Sequence, residues 1–231
     1  MGGGVVFVMA KAPVPGLVKT RLCPPLTSSQ ASRLAEAFAL DTIRKLAAVA
    51  VAGGLEVRVA LDGAGQGFGR GLEEEAARLG LPVEGQGQGD LGTRMEEVLG
   101  RGLATGRPTV LVGTDAPDLP GALVRSAFEA LARVDAVLVP AADGGYVLVG
   151  ARRPLPELFR IDAPWSSDGV FAATCEALRR AGYPFEVLEG WDDVDDAAAL
   201  GRLASRLDGG ADVAPCTARL LGEWRCEGVR F

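Results

Sequence analysis

Apolar runs rich in valine and leucine alternate along this chain with longer segments whose apolar residues recur at helical spacing, and few architectures accept that order. Strands joined through helices pair in parallel, because each crossover carries the chain back to the same edge of the sheet. One connection departs from the pattern. Runs 136–140 and 146–150 both read as strands, and only the turn at Asp143-Gly144-Gly145 lies between them, too short for a parallel crossover. The chain is therefore expected to form an α/β domain with a mixed, mostly parallel sheet and helices on its faces.

The other elements follow from period and punctuation. Residues 5–9 are the expected first strand. Thr27 and Ser28 are candidate caps for a helix reaching about residue 50, with Ala31, Leu34, Ala35, Phe38, Ile43 and Leu46 as its buried stripe and Gly53 beyond its end. Further strands are expected at 55–61, 81–84, 109–113 and 185–188, and helices at 72–79, 93–103, 120–133, 170–181 and from Asp195 onward. With 231 residues, no linker and no repeat, the chain reads as one domain, 1–231, with a core over about 5–207 and a C-terminal tail over 208–231.

Composition narrows the function classes. Apolar residues make up 48% and charged residues 23%, which suits a globular domain and neither a disordered nor a membrane-spanning chain. The N-terminus lacks the basic start and long apolar core of a secretory signal, so a cytoplasmic protein is expected. A net charge of -6 argues against nucleic-acid binding. The four cysteines form no CxxC pair and histidine is absent, which excludes ordinary zinc sites and histidine general bases. Carboxylates, lysine, tyrosine or cysteine remain for proton transfer.

Against that acidic background the cations are unevenly placed. Lysine occurs at positions 11, 19 and 45 alone, two of them in the segment Ala10 to Leu22, and no acidic residue precedes Glu36. Pro13 and Pro15 stiffen this segment at the end of the first strand, which suits a phosphate-bearing ligand. Val18 precedes Lys19 where a Walker loop needs glycine, so that motif is excluded, while Lys19, Thr20 and Arg21 remain candidate phosphate partners.

Further along, Gly87 to Gly92 matches GxGxxG, but Asp90 inside it would repel a pyrophosphate; Asp90 and Arg94 either face a sugar or base or belong to a bland loop. Thr114 and Asp115 fall where the strand 109–113 ends, the edge at which α/β sheets bind ligands, and Asp115 could hold a divalent cation or cap the next helix. Asp118 fits the capping role better. Asp143-Gly144-Gly145-Tyr146 reads first as a tight turn. Trp191 is followed by the carboxylates Asp192, Asp193, Asp195 and Asp196, more than helix capping needs, and Trp165-Ser166-Ser167-Asp168 precedes a helix that Ser167 or Asp168 could cap.

Six segments follow one another along the chain: AKAPVPGLVKTRL, QGDLGTRM, GTDAPDL, DGGYVLVG, the APWSS loop and the DVDD run. Together, over about 5–200, they resemble the nucleotide-diphospho-sugar transferase superfamily, and within it a bacterial family of uncertain function sometimes labelled arsenosugar-biosynthesis glycosyltransferases. The resemblance implies a GT-A-like three-layer α/β/α sandwich. It implies nucleotide and phosphate contacts from Ala10, Lys11, Gly16, Lys19, Thr20, Arg21, Asp90, Arg94 and Thr114, and substrate contacts from Gly144, Gly145, Tyr146, Trp165, Ser166 and Ser167. Mg²⁺ or Mn²⁺ would rest on Asp115 and Asp195. Should transfer invert configuration, a base is required, and with histidine absent Asp143 or Asp168 is the candidate.

Two positions depart from the family pattern: Ser167 stands where threonine is usual, and Asp196 replaces the threonine of Asp-x-Asp-Thr. The expected activity is metal-dependent transfer of a sugar from a nucleotide sugar to a small acceptor. The alternatives are nucleotidyl transfer from a nucleoside triphosphate with release of pyrophosphate, and nucleotide binding without turnover.

Overall fold

The computed structural model describes residues 3–165 and 167–229. Strands Val5–Lys11 (β1), Glu56–Asp62 (β2), Val83–Gly85 (β3), Thr109–Gly113 (β4), Ala136–Pro140 (β5), Tyr146–Ala151 (β6) and Phe185–Val187 (β7) form one sheet in the order β3-β2-β1-β4-β6-β5-β7. Among them β6 alone runs antiparallel, lying between β4 and β5. The tight turn at 143–145 thus produces the antiparallel strand expected of it, and the sheet is mixed and mostly parallel.

Helices Ser28–Gly53 (α1), Arg70–Arg78 (α2), Leu91–Leu103 (α3), Gly121–Leu131 (α4), Val170–Ala181 (α5), Ala197–Asp208 (α6) and Pro215–Cys226 (α7) complete the domain. Alternation along the strands assigns the faces. Val6 and Val8 of β1 and Val110 and Val112 of β4 meet Ile43, Leu72 and Val124 of α1, α2 and α4. Val5, Phe7 and Leu111 meet Val98 and Leu99 of α3 and Leu178 of α5 on the opposite face. These are the three layers of a GT-A-like sandwich. Among the described residues no helix is long and apolar enough to cross a membrane.

Cap chemistry moves several boundaries. α1 runs through Gly53 to a left-handed cap at Gly54, with φ of 64°, whereas an end near residue 50 is expected; Thr27 and Gln30 form a reciprocal capping box at its start. α3 starts at Leu91 because the Asp90 carboxylate accepts from the Thr93 backbone N–H. α6 starts at Ala197, after Asp196 as cap, and not at Asp195. All four cysteines are free thiols.

The segment 208–231, expected as a tail, adds to the core beyond residue 207. Leu220, Leu221 and Trp224 of α7 pack with Leu200 and Leu203 of α6 against Leu34 and Phe38 on the outer side of α1. A carboxylate holds this packing in place. Asp41 of α1 is 2% exposed and accepts hydrogen bonds from the Cys216 N–H at 2.9 Å, the Thr217 N–H at 2.8 Å and the Thr217 hydroxyl at 2.7 Å. An anion thus sits on donors that the first turn of α7 leaves without helical partners.

Two predictions follow from these anchors. Asp41→Ala strips the first turn of α7 of its acceptor and is expected to lower unfolding stability by about 3 kcal/mol, read from the urea midpoint, with Asp41→Asn costing less because it keeps an acceptor oxygen. Glu75 of α2 takes Arg78 and Arg44, each at 2.6 Å, and these hydrogen bonds, Arg78 first, hold its carboxyl at about 2 against the usual 4.5. The folded state therefore favours the ionised form, so this contribution is complete above pH 4.5 and is lost as pH falls toward about 2. The stability gap between wild type and Glu75→Gln should be present at neutral pH and close across that window.

Candidate functional site

The carboxyl ends of β1 to β5 lie on one edge of the sheet, and the antiparallel β6 begins there. A bridge between Ala141 and Trp191 extends β5 and brings the carboxylate run 192–196 to the same edge. Segments distant in sequence therefore converge: 10–21 after β1, 86–94 after β3, 114–118 after β4, 143–146 before β6, and 191–196.

Lys19 sits at the centre of this convergence. Its backbone is left-handed, with φ of 49°, which costs a residue with a side chain about 1–2 kcal/mol. Its ammonium, only 6% exposed, lies 2.6 Å from Asp115 and 3.0 Å from Asp195. It also donates to the Val194 carbonyl at 2.7 Å. Burial alone would lower its pKa, but Asp115 and Asp195 outweigh that penalty and hold it above the usual value. The Val194 N–H donates in turn to the Asp115 carbonyl at 2.9 Å, so the two acidic segments are tied by backbone as well as by charge.

Two hollows meet at this knot. The first, of about 430 Å³, is lined by Ala10, Lys11, Asp62, Gln86, Arg94 and Thr114 among others. Buried Gln86 donates to the carbonyls of Ala10 at 2.8 Å and Ala60 at 3.0 Å and accepts from Arg94, which also pairs with Asp62 at 2.8 Å. The Arg94 Nε–H is buried there without a protein acceptor. The second hollow, of about 470 Å³, is lined by Asp143, Asp168, Asp193, Tyr146, Trp165 and Ser167 among others. Arg21, Asp115 and Asp195 border both.

Two glycines let the outer wall of the second hollow close in. A Cβ on Gly92 would lie 2.3 Å from the Trp165 indole, and one on Gly144, where φ is +88°, would lie 2.0 Å from the Asp168 carbonyl oxygen. Asp143 accepts from the Gly145 N–H at 2.8 Å, which fixes the turn. Burial pushes the Tyr146 phenol well above its usual pKa, so it stays protonated and is a poor base.

Carboxylate oxygens of Asp143, Asp193 and Asp195 lie within 4.8 Å of one another. Burial, and then the neighbouring Asp143, raise the pKa of Asp193. Three clustered hard oxygen donors with one of them buried are what a Mg²⁺- or Mn²⁺-sized cation takes as ligands.

Several expected site residues lie at the edge as anticipated, and several have different partners. Ala10 and Lys11 belong to β1, not to the loop, and Lys11 reaches back to the Leu17 carbonyl at 3.1 Å. Lys19 spends its three donors on two carboxylates and a carbonyl, so in this arrangement it is their counter-ion and offers no phosphate contact. Arg21 remains exposed, 3.6 Å from Asp195, and Thr20 lies beside it on the wall of the first hollow. Gly16, with φ of 80°, shapes the turn of the loop. Asp90 is an exposed helix cap rather than a face toward a sugar or base, because its carboxylate is used by the Thr93 N–H.

Asp195 joins the three-carboxylate group, whereas Asp115 is paired with Lys19 and lies outside it. Ser167 bonds its own loop at the Pro164 carbonyl, and neither it nor Asp168 caps α5, whose cap is Gly169. Ser166 lies outside the described residues.

Asp118 does not cap α4, which starts after Pro120 without a side-chain cap. It is 4% exposed and accepts from Trp191 Nε1 at 3.1 Å and Arg206 Nε at 2.7 Å, while Arg206 also reaches Asp192 at 3.0 Å. Lys45 of α1 donates to the carbonyls of Pro117 at 2.7 Å and Leu119 at 3.0 Å. These contacts brace the Asp115 loop against the 191–196 loop. Asp118, Arg206 and Gln86 support the site without having been marked by the sequence, where Asp118 reads as a helix cap.

Comparison with known proteins bears on the family and the fold. Residues 43–167 match the family described as uncharacterized protein conserved in bacteria (DUF2064), and no curated protein matches the sequence. A protein from Desulfovibrio desulfuricans G20, provisionally named a nucleotide-diphospho-sugar transferase, shares 29% identity over 96% of this chain and 95% of its own, with a TM-score of 0.84. A cytidylyltransferase from Leptospira borgpetersenii serovar Hardjo-bovis (strain JB197) shares the fold at a TM-score of 0.59 and 12% identity, over 99% of this chain and 95% of its own. A nucleotidyl transferase from Methanothermobacter thermautotroptrophicus does so at 0.58 and 14%, over 89% and 98%. With more than half its length matched by the family and nearly all of it covered at a TM-score of 0.84 by the Desulfovibrio protein, the chain belongs to the DUF2064 family and has the GT-A-like fold of the nucleotide-diphospho-sugar transferases.

Proposed function

We propose that this protein is a nucleotide-using transferase, and more narrowly one that moves a sugar from a nucleotide-sugar donor to a small acceptor with the help of Mg²⁺ or Mn²⁺. The observation that carries this reading is the meeting of two hollows at Arg21, Asp115 and Asp195 on the carboxyl edge of the sheet. The first hollow receives the nucleotide: Gln86, Arg94 and Asp62 offer a polar wall with an unused N–H, and Lys11 and Arg21 carry charge toward a diphosphate. The second receives the sugar and the acceptor.

Asp143, Asp193 and Asp195 are the residues that would hold the divalent cation. When bound, the cation supplies charge neutralisation to the diphosphate. Arg21 steadies phosphate oxygens from the seam between the hollows, and Lys19 keeps Asp195 and Asp115 in place by bridging them. Asp168, exposed in the second hollow, is the carboxylate free to accept the acceptor's hydroxyl proton, because Asp143 is engaged with its own turn and with the cation group. Nucleotidyl transfer is the second reading, favoured by the shared fold of the cytidylyltransferase, and it would use the same cations and carboxylates on a nucleoside triphosphate.

Product analysis separates these readings. Incubated with Mn²⁺, the full chain is expected to release nucleoside diphosphate from one of a panel of sugar nucleotides; release of pyrophosphate from a nucleoside triphosphate would establish the second reading, and nucleotide binding without either product would overturn both. Asp195→Asn is expected to lower turnover by about 10²–10³-fold and to weaken Mn²⁺ binding measured by electron paramagnetic resonance. Lys19→Met leaves two carboxylates facing each other with no counter-ion. Its thermal midpoint is expected to fall, and added Mg²⁺ to restore more of the lost stability than it adds to wild type.

A further inference from the structure

The second hollow is distinguished by what its wall offers a ligand. Asp115, Asp143, Asp168, Asp193 and Asp195 are carboxylates, and Arg21 is the one cation among its described lining residues, already facing Asp195 at 3.6 Å. Asp193 is 8% exposed, with no side chain hydrogen-bonded to its carboxylate among the described residues. Apart from Ser167, the other large side chains of the wall are apolar or aromatic: Leu91, Met95, Val147, Val170, Tyr146 and Trp165. While no divalent cation occupies Asp143, Asp193 and Asp195, a ligand carrying carboxylate or phosphate would meet a single guanidinium, Arg21 at the seam, against five like charges. Hydroxyl groups, by contrast, donate well to carboxylates, and the apolar face of a sugar ring packs on an indole.

The wall is also built, not incidental. Trp165 reaches its place because Gly92 has no side chain, and the Asp168 backbone lies against Gly144 for the same reason. The Phe171 N–H donates to the Gly144 carbonyl at 2.8 Å, which pins the start of α5 and the loop before it to the β5–β6 turn. Trp165 and Asp168 are thereby held on the same rim with an aromatic surface and a free carboxylate side by side.

We propose that this hollow selects an uncharged polyhydroxylated group, a neutral sugar or polyol, and rejects sugar acids and sugar phosphates. The inference rests on the transferase reading for its biological context. It concerns this hollow alone and is testable without turnover.

The test is ligand-observed saturation-transfer NMR on the full chain with EDTA and no divalent cation, using matched pairs: D-glucose against D-glucuronate and against D-glucose 6-phosphate, and D-galactose against D-galacturonate. The neutral member of each pair is expected to bind at least about tenfold more tightly than its charged counterpart. Asp168→Lys should reverse the order toward the sugar acids, and Trp165→Ala should weaken the neutral sugars. Equal or tighter binding of the acids or the phosphate by wild type, or binding of none of these sugars, overturns the proposal. Nucleoside diphosphate binding, titrated separately by calorimetry, keeps the two ideas apart: selective neutral-sugar binding without nucleotide binding sinks the transferase reading and leaves this one, and nucleotide binding with preference for acids does the reverse.

Discussion

One ammonium group organises the functional edge of this molecule. Lys19 lies between Asp115, which follows β4, and Asp195, which precedes α6, and it holds both while adopting a left-handed backbone. Without it two carboxylates would face each other across a partly buried gap, and their repulsion would drive the β4 loop and the 191–196 loop apart. The strain at Lys19 is tolerated because three hydrogen-bond acceptors converge on its Nζ. Other contacts act on the same two loops: Asp118 with Trp191 and Arg206, and Lys45 beneath residues 117–119. The position of every carboxylate at the seam of the two hollows follows from these ties.

Much of the fold was legible in the sequence for a simple reason. Strands covered on both faces must be apolar almost throughout, so runs such as 109–113 stand out, and a three-residue turn of aspartate and glycine admits a single strand direction afterwards. The helix α7 was less visible. Its buried residues Thr217, Leu220, Leu221 and Trp224 have helical spacing, but the segment is short and its intervening residues are charged, so it reads as a polar tail. What fixes it is Asp41, about 175 residues away, and no local pattern reveals that partner.

The site was legible in part. Sequence marks Lys11, Lys19 and Arg21 as unusual cations, and Asp115, Asp143 and Asp195 as carboxylates at strand ends or turns. It does not say which carboxylate neutralises which cation. Lys19 as counter-ion and Lys19 as phosphate donor have the same local sequence, and only the distances to Asp115 and Asp195 separate them. Asp90 and Asp118 show the same ambiguity from the other side. One is a helix cap where a ligand contact was expected, the other a buried brace where a cap was expected, and in each case the carboxylate simply takes the nearest unsatisfied donors. Gln86 carries no signal at all, since a glutamine in a glycine-rich loop becomes informative only when two strand carbonyls lie within its reach.

The bond from Lys19 to Val194 spans 175 residues of chain. Its two halves leave the ribosome 175 residues apart, and all seven strands of the sheet precede the second half. A nascent chain can therefore build most of its framework while the ligand-binding edge stays open and unneutralised. The seam between the two hollows then closes late, when residues 191–206 dock. A chain cut short before that point would keep the wall of Asp62, Gln86 and Arg94 and lose the carboxylates that face it across the seam.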